Sequence, residues 1–146
     1  MKSMLSLTFV LLVGGLMPIQ GSINAQMGQI LGHPLRGTLM NFATGGFVLV
    51  ALLVLWAGFP EVDDLFKAPW YLYTGGIMGV VFVTTMLTFI PELGALRVLA
   101  AVVVGQLIVS AIIDNYGWLT VPVHSLSASR VLGMGFLIAG LYFINR

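Results

Sequence analysis

The stretch Met17–Gln29 constrains this chain more than any other. It reads Met-Pro-Ile-Gln-Gly-Ser-Ile-Asn-Ala-Gln-Met-Gly-Gln and follows the apolar run Leu5–Leu16 with no charged residue between. The apolar run alone is too short to cross a bilayer, which takes about 20 residues. A membrane segment that begins there must continue into the polar stretch. A helix carrying Pro18, Gln20, Asn24 and Gln26 sits badly against lipid tails. Each bare amide there costs on the order of a kcal/mol or more unless it finds a partner or water. The stretch should therefore face other helices or a cavity, with the remaining spans arranged around it.

Composition carries the membrane reading to the whole chain. The 146 residues are 59% hydrophobic and 8% charged, with a mean hydropathy of +1.06. Soluble domains run at about 25% charged. A net charge of +1 points to no nucleic-acid partner. Without cysteine there is no disulfide frame, thiol nucleophile or cysteine metal site. His33 and His124 fall in expected loops and have no partnering motif, so neither a metal nor a cofactor is expected. Lys2, the apolar run and Ile23-Asn24-Ala25 before Gln26 imitate a secretory signal peptide. Ile23 is poor where a small residue is wanted, and the segment reads as a span.

The expected fold is all-α, a polytopic membrane protein of five transmembrane helices in a single domain, at about residues 5–31, 35–57, 69–89, 93–113 and 127–144. Pro18 should bend the first helix, since proline removes a backbone donor and clashes with the preceding turn. Gly58–Lys67, the most charged part of the chain, must be a water-exposed loop. Trp70, Tyr71 and Tyr73 read as an interfacial aromatic belt. Pro91-Glu92-Leu93-Gly94 reads as a tight turn.

No internal repeat is present, although many transporters are built from two inverted halves around a midplane site. Five spans put the two chain ends on opposite sides of the membrane. Such a chain forms an inverted pair only with an upside-down copy, as half of a ten-helix inverted-repeat transporter. The charges permit this: Lys2, Lys67 and Arg130 fall on one side, Arg36, Arg97 and Arg146 on the other. Orientation normally follows a Lys/Arg excess on the cytoplasmic side, and here there is none.

The candidate site residues are Gln20, Asn24, Asn41, Gln106, Ser110 and Asp114. Gln20 and Asn24 share a helix face with Met17 and Met27; they read either as lining a solute path or as interhelical hydrogen-bond glue. The neighbouring face, Gly14, Pro18, Gly21, Ala25 and Gly28, is small enough for another helix to approach closely. Asn41 lies on a helix face with Thr38 and Gly45. Gln106, Ser110 and Asp114, spaced by four, form a polar stripe on an otherwise apolar helix. Asp114 falls near a helix C-terminus, where the macrodipole disfavours an anion. Arg130 or a bound cation should compensate, or headgroup water should solvate it. No phosphate loop, metal cluster or catalytic triad is present, and no enzyme is expected.

The residues Gly15…Pro18-Ile19-Gln20…Asn24-Ala25, Asn41-Phe42, Pro69-Trp70…Gly75-Gly76…Gly79, Pro91…Gly94, Gly105-Gln106-Leu107…Ser110…Asp114…Gly117 and Arg130…Gly133…Gly140 resemble the YdcZ-type family of bacterial inner-membrane proteins. That family is the five-helix, half-size branch of the drug/metabolite transporter superfamily. The Gly105–Gly117 segment is the most specific part. The resemblance covers nearly the whole chain and implies an inner-membrane transporter of small solutes, metabolite or drug-like, working by alternating access as an antiparallel homodimer in the lipid bilayer. It supplies neither a substrate nor a residue-by-residue site. Related small multidrug transporters carry a carboxylate in the first helix, where this chain has only Gln and Asn; that speaks against their proton-coupled export of cationic drugs. Gly37-Thr38…Asn41-Phe42 also resembles a helix of the dual-topology fluoride channels. A channel or a structural membrane subunit is the alternative function.

Overall fold

The computed structural model describes residues 2–146, with side chains from residue 4 onward. Lys2, used in the charge count above, lies outside the described side chains. Every regular element among the described residues is helical. The chain divides into two compact units, Met1–Glu92 and Leu93–Arg146.

The first unit opens with α1 (Lys2–Gly14) and α2 (Leu16–Ile30). They are nearly continuous, because the Gly15 N–H donates to the carbonyls of both Leu11 (3.2 Å) and Leu12 (3.1 Å). The bend expected at Pro18 therefore appears as a discontinuity at Gly15. Proline disturbs the turn before it: its ring crowds the carbonyl four residues back, here Gly14, and offers that carbonyl no N–H. Pro18 itself lies in the first turn of α2, where backbone donors have no intrahelical acceptor.

A tight turn reverses the chain after α2. The His33 N–H reaches the Gly28 carbonyl (3.0 Å) and the Gly32 N–H the Gln29 carbonyl (3.1 Å). Gly32 sits at φ +73°, the left-handed position that this helix ending requires. His33 Nδ1 accepts the Leu35 N–H at 3.1 Å and so caps α3 (Pro34–Leu52), with Pro34 at its first position. A wide π-helical turn, Leu53–Ala57, continues α3 to Gly58. The charged stretch, expected as a water-exposed loop, holds a short helix, α4 (Val62–Lys67). Its Val62, Leu65 and Phe66 fall on one side and Asp63, Asp64 and Lys67 on the other, a spacing that suits a membrane surface.

A 3-10 turn at Trp70–Tyr73 leads into α5 (Thr74–Leu93). The tight turn expected at Pro91–Gly94 is displaced: Pro91 lies inside α5, and only Gly94, at φ +83°, ends it. A proline in the last turn forfeits a single hydrogen bond close to where the helix must stop anyway.

The core of this unit is built on small residues. Gly21, Ala25 and Gly28 of α2, Gly37 and Thr38 of α3, and Met86, Leu87 and Ile90 of α5 are buried. A Cβ on Gly37 would come within 2.8 Å of the Gly28 backbone and 2.5 Å of Leu87 Cδ2. The two glycines thus let α2 and α3 touch and let Leu87 seat against both. Ile90 covers Gly21 in the same way, 2.9 Å from where a Cβ would be. Of the small face expected along this stretch, Gly21, Ala25 and Gly28 are packed, whereas Pro18 is exposed and a Cβ on Gly14, at the end of α1, would meet nothing within 4 Å. The Thr38 and Thr84 hydroxyls are bonded at 3.0 Å and tie α3 to α5.

The second unit is a helical hairpin. α6 (Ala95–Tyr116) ends at Gly117, which takes φ +64° and donates its N–H to the Ile113 carbonyl. A 3-10 turn, Trp118–Thr120, and an extended segment lead to α7 (Ala128–Ile144).

Among the described residues, four helical segments are long and apolar enough to cross a membrane: Met4–Ile30, Pro34–Ala57, Trp70–Leu93 and Ala95–Tyr116. α7, at 17 residues, is shorter. Large apolar side chains such as Leu11, Phe47, Trp56 and Phe136 are exposed along these helices, as lipid-facing or partner-facing surfaces require.

Candidate functional site

In the first unit, the Gly28–Gly37 contact fixes the register of the α2–α3 hairpin. One helical turn further from the connection, on either helix, come Asn24 and Asn41. Each is about 40° around its helix from the contacting glycine, so the two amides flank the packed seam at one depth. Both are half-buried. A second turn away, Gln20 is exposed, and Gly45 at the matching position of α3 opens onto unfilled space. None of these amide side chains makes a hydrogen bond with a described residue, whereas Thr38, Thr44, Thr84, Thr85 and Thr88 are all bonded.

In the second unit, α6 and α7 enclose a cleft of about 300 Å³. Leu107, Ala111, Leu126, Met134 and Leu137 line its apolar walls. Ser110, Asp114 and Arg130 line it with polar groups, and Gly133 completes it. The returning chain builds the polar end. The His124 N–H donates to the Asp114 carbonyl (2.9 Å), and the Leu126 N–H to Asn115 Oδ1 (3.2 Å). Both bonds draw the start of α7 onto the last turn of α6. Ser127 caps α7 by accepting the Arg130 N–H at 3.3 Å. The Arg130 guanidinium bonds the His124 carbonyl (3.3 Å) and stands 3.8 Å from Asp114 Oδ2.

Both charges sit on the disfavoured end of a helix: an anion in the last turn of α6 and a cation in the first turn of α7. Each position costs about 0.3–1 kcal/mol against the macrodipole, and the cross-hairpin pairing offsets part of this. The pair is long and roughly half exposed, with side-chain accessibilities of 35% for Asp114 and 48% for Arg130. A pair of that kind is worth at most about 1 kcal/mol. Arg130 is thus the compensating group found beside Asp114.

The expected stripe of Gln106, Ser110 and Asp114 is only partly one site. Ser110 and Asp114 line the cleft; Gln106 does not and is exposed, with no hydrogen-bond partner among the described residues. Eight residues wind about 80° past two full turns, so a strict spacing of four drifts off the face. The cleft face runs Leu107, Ser110, Ala111, Asp114, and α7 answers with Arg130, Gly133, Met134, Leu137. Both follow the mixed three-and-four spacing of a straight helix face. That shared spacing is the signal in the sequence that a reading by polar residues alone passes over.

Apolar helices of spanning length, carrying amides that have no hydrogen-bond partner among the described residues, are the mark of a multi-pass membrane protein. The family described as "Putative inner membrane exporter, YdcZ" matches residues 5–143, and the chain belongs to it. It is accordingly a multi-pass inner-membrane protein of a transporter family. No curated protein and no solved structure matches the chain.

Proposed function

We propose that the chain exports a small polar or zwitterionic solute by alternating access, as an inverted pair of identical copies. The reading rests on one observation above the others: Gln20, Asn24, Asn41 and Gln106 lie on helices of spanning length with no hydrogen-bond partner among the described residues. Amides at membrane depth face a cavity or another protein rather than lipid. An inverted second copy would bring a second set of the same groups to a shared centre, where transporter sites lie. Neutral amides offer both donors and acceptors, which suits a polar or zwitterionic solute better than a bare cation. Ser110 and Asp114 extend the solute path in the second unit.

Pairing of this kind needs α7 as a fifth span. Its 17 residues reach about 25 Å against a hydrocarbon core of about 30 Å. Arg130 and Arg146 at its two ends can snorkel to the headgroups while the bilayer thins locally.

The chain has no cysteine, so a single cysteine at position 24 reports on that position alone. For Asn24→Cys in proteoliposomes, a solute path predicts labelling by a membrane-impermeant thiol reagent without ion conductance. Labelling with conductance would mean a channel. No labelling would mean a packed, structural interface.

A further inference from the structure

We infer that the α6–α7 cleft binds a free zwitterion with an apolar body, an amino acid with an aliphatic side chain being the simplest example. This deepens the exporter reading and rests on it only for the movement of the solute; binding stands by itself. The cleft presents two opposite poles side by side. Asp114 and the C-terminal end of α6 form a negative pole, while Arg130 and the N-terminal end of α7 form a positive one. A lone organic cation meets Arg130 as a repulsive neighbour, and a lone anion meets Asp114. A solute carrying an ammonium and a carboxylate on adjacent atoms satisfies both poles.

The existing Asp114–Arg130 contact is no obstacle. At 3.8 Å and half exposed it is weak and open to exchange with a ligand's charges. Ser110 makes no hydrogen bond among the described residues, although serine in a helix commonly back-bonds to the carbonyl four residues earlier. Its hydroxyl is free to take a third contact beside the two charges. The remaining lining, Leu107, Ala111, Leu126, Met134 and Leu137, is apolar and fits an aliphatic side chain. The volume, about 300 Å³, falls at the small end of ligand pockets. Gly133 keeps the space open, since a Cβ there would meet nothing within 4 Å.

The test uses the full chain in nanodiscs of phosphatidylglycerol, a lipid without an ammonium group. Equilibrium binding is measured for three probes of one carbon skeleton: L-leucine, isopentylamine and 4-methylpentanoate. Leucine should bind, and each single-charge probe should bind about 10- to 100-fold more weakly, as loss of one charged contact implies. Asp114→Asn should abolish the preference for leucine over the acid, and Arg130→Gln the preference over the amine. Gly133→Leu should remove binding without loss of folded protein, because leucine is the better helix former.

No binding of leucine overturns the inference. So does equal binding of the amine, or a Gly133→Leu variant that binds normally. A zwitterionic lipid headgroup shares the proposed chemistry, so the measurement is repeated with phosphatidylethanolamine in the discs. Persistent leucine binding supports the free solute; its loss gives the cleft to the lipid and overturns the inference. Leucine counterflow in proteoliposomes separates the two readings. Binding without exchange refutes the exporter and leaves the site, whereas exchange that survives Arg130→Gln and Gly133→Leu refutes the site and leaves the exporter.

Discussion

Among the glycines of the first unit, Gly37 bears the closest backbone approach, and its neighbours leave little room to give. An added methyl meets both Leu87 Cδ2 at 2.5 Å and the Gly28 backbone at 2.8 Å. Leu87 can turn aside, but the α2 backbone cannot without opening the hairpin. Gly37→Ala should therefore destabilise the protein by about 1–3 kcal/mol, read as a lower unfolding midpoint in detergent. Gly45→Ala, two turns along α3 with nothing within 4 Å, should be neutral or gain up to about 1 kcal/mol from helix propensity. Equal losses at both positions would show that the Gly28–Gly37 contact does not hold the hairpin. The amides require a paired measurement. Gln20 and Asn24 make no hydrogen bond among the described residues, so Gln20→Leu and Asn24→Leu should leave the folded monomer intact and abolish export. Loss of dimer in step with export would instead make them glue between copies, at about 0.6 kcal/mol per interhelical bond. Normal export would remove them from the path.

The elements behind these residues are two hairpins joined by turns of defined chemistry, and the turns are where substitution should tell most. Gly117 takes φ +64°, and a Cβ there would lie 2.7 Å from Val123 Cγ2. Gly117→Ala thus combines a left-handed alanine, costing about 1–2 kcal/mol, with a steric push on the segment that aims Arg130. Thermal unfolding should show the loss, and a second change, Val123→Ala, should recover only the steric part; full recovery would mean that backbone conformation carries none of it. The four helices of spanning length were legible in the sequence because long apolar runs leave few alternatives in a chain 8% charged. The helix ends were less so. Pro18 acts one turn upstream of itself, Pro91 is tolerated where a helix is already ending, and α4 is too short for its apolar side to stand out among Asp63, Asp64 and Lys67. Of the lining of the candidate cleft, Ser110, Asp114 and the neighbouring Arg130 could be picked out by charge and spacing. The walls of the cleft were not, because leucine, methionine and alanine at helical spacing look the same whether they pack against a helix, lipid or an empty space.

At the scale of the whole molecule, the number of spans and the balance of charge are one question. If α7 spans, the six Lys and Arg divide three and three, and nothing prefers one orientation. If α7 lies on the surface, Arg146 moves to the side of Lys2, Lys67 and Arg130. The balance becomes four against two, and the chain should insert one way only. Reporter fusions at the C-terminus decide between them. The inverted pair predicts signal on both sides of the membrane for the native chain. Two lysines added within the Glu61–Lys67 loop should then hold that loop in the cytoplasm and, across an odd number of spans, send the C-terminal reporter wholly outside. Dimer yield should fall for this variant, since every copy now faces one way. Co-expression with a second variant, carrying two lysines beside Arg36, should restore it. A native reporter confined to the cytoplasm, unmoved by the added lysines, would mean four spans and a fixed orientation. The unpartnered amides of α2 and α3 would then need a partner other than an inverted copy.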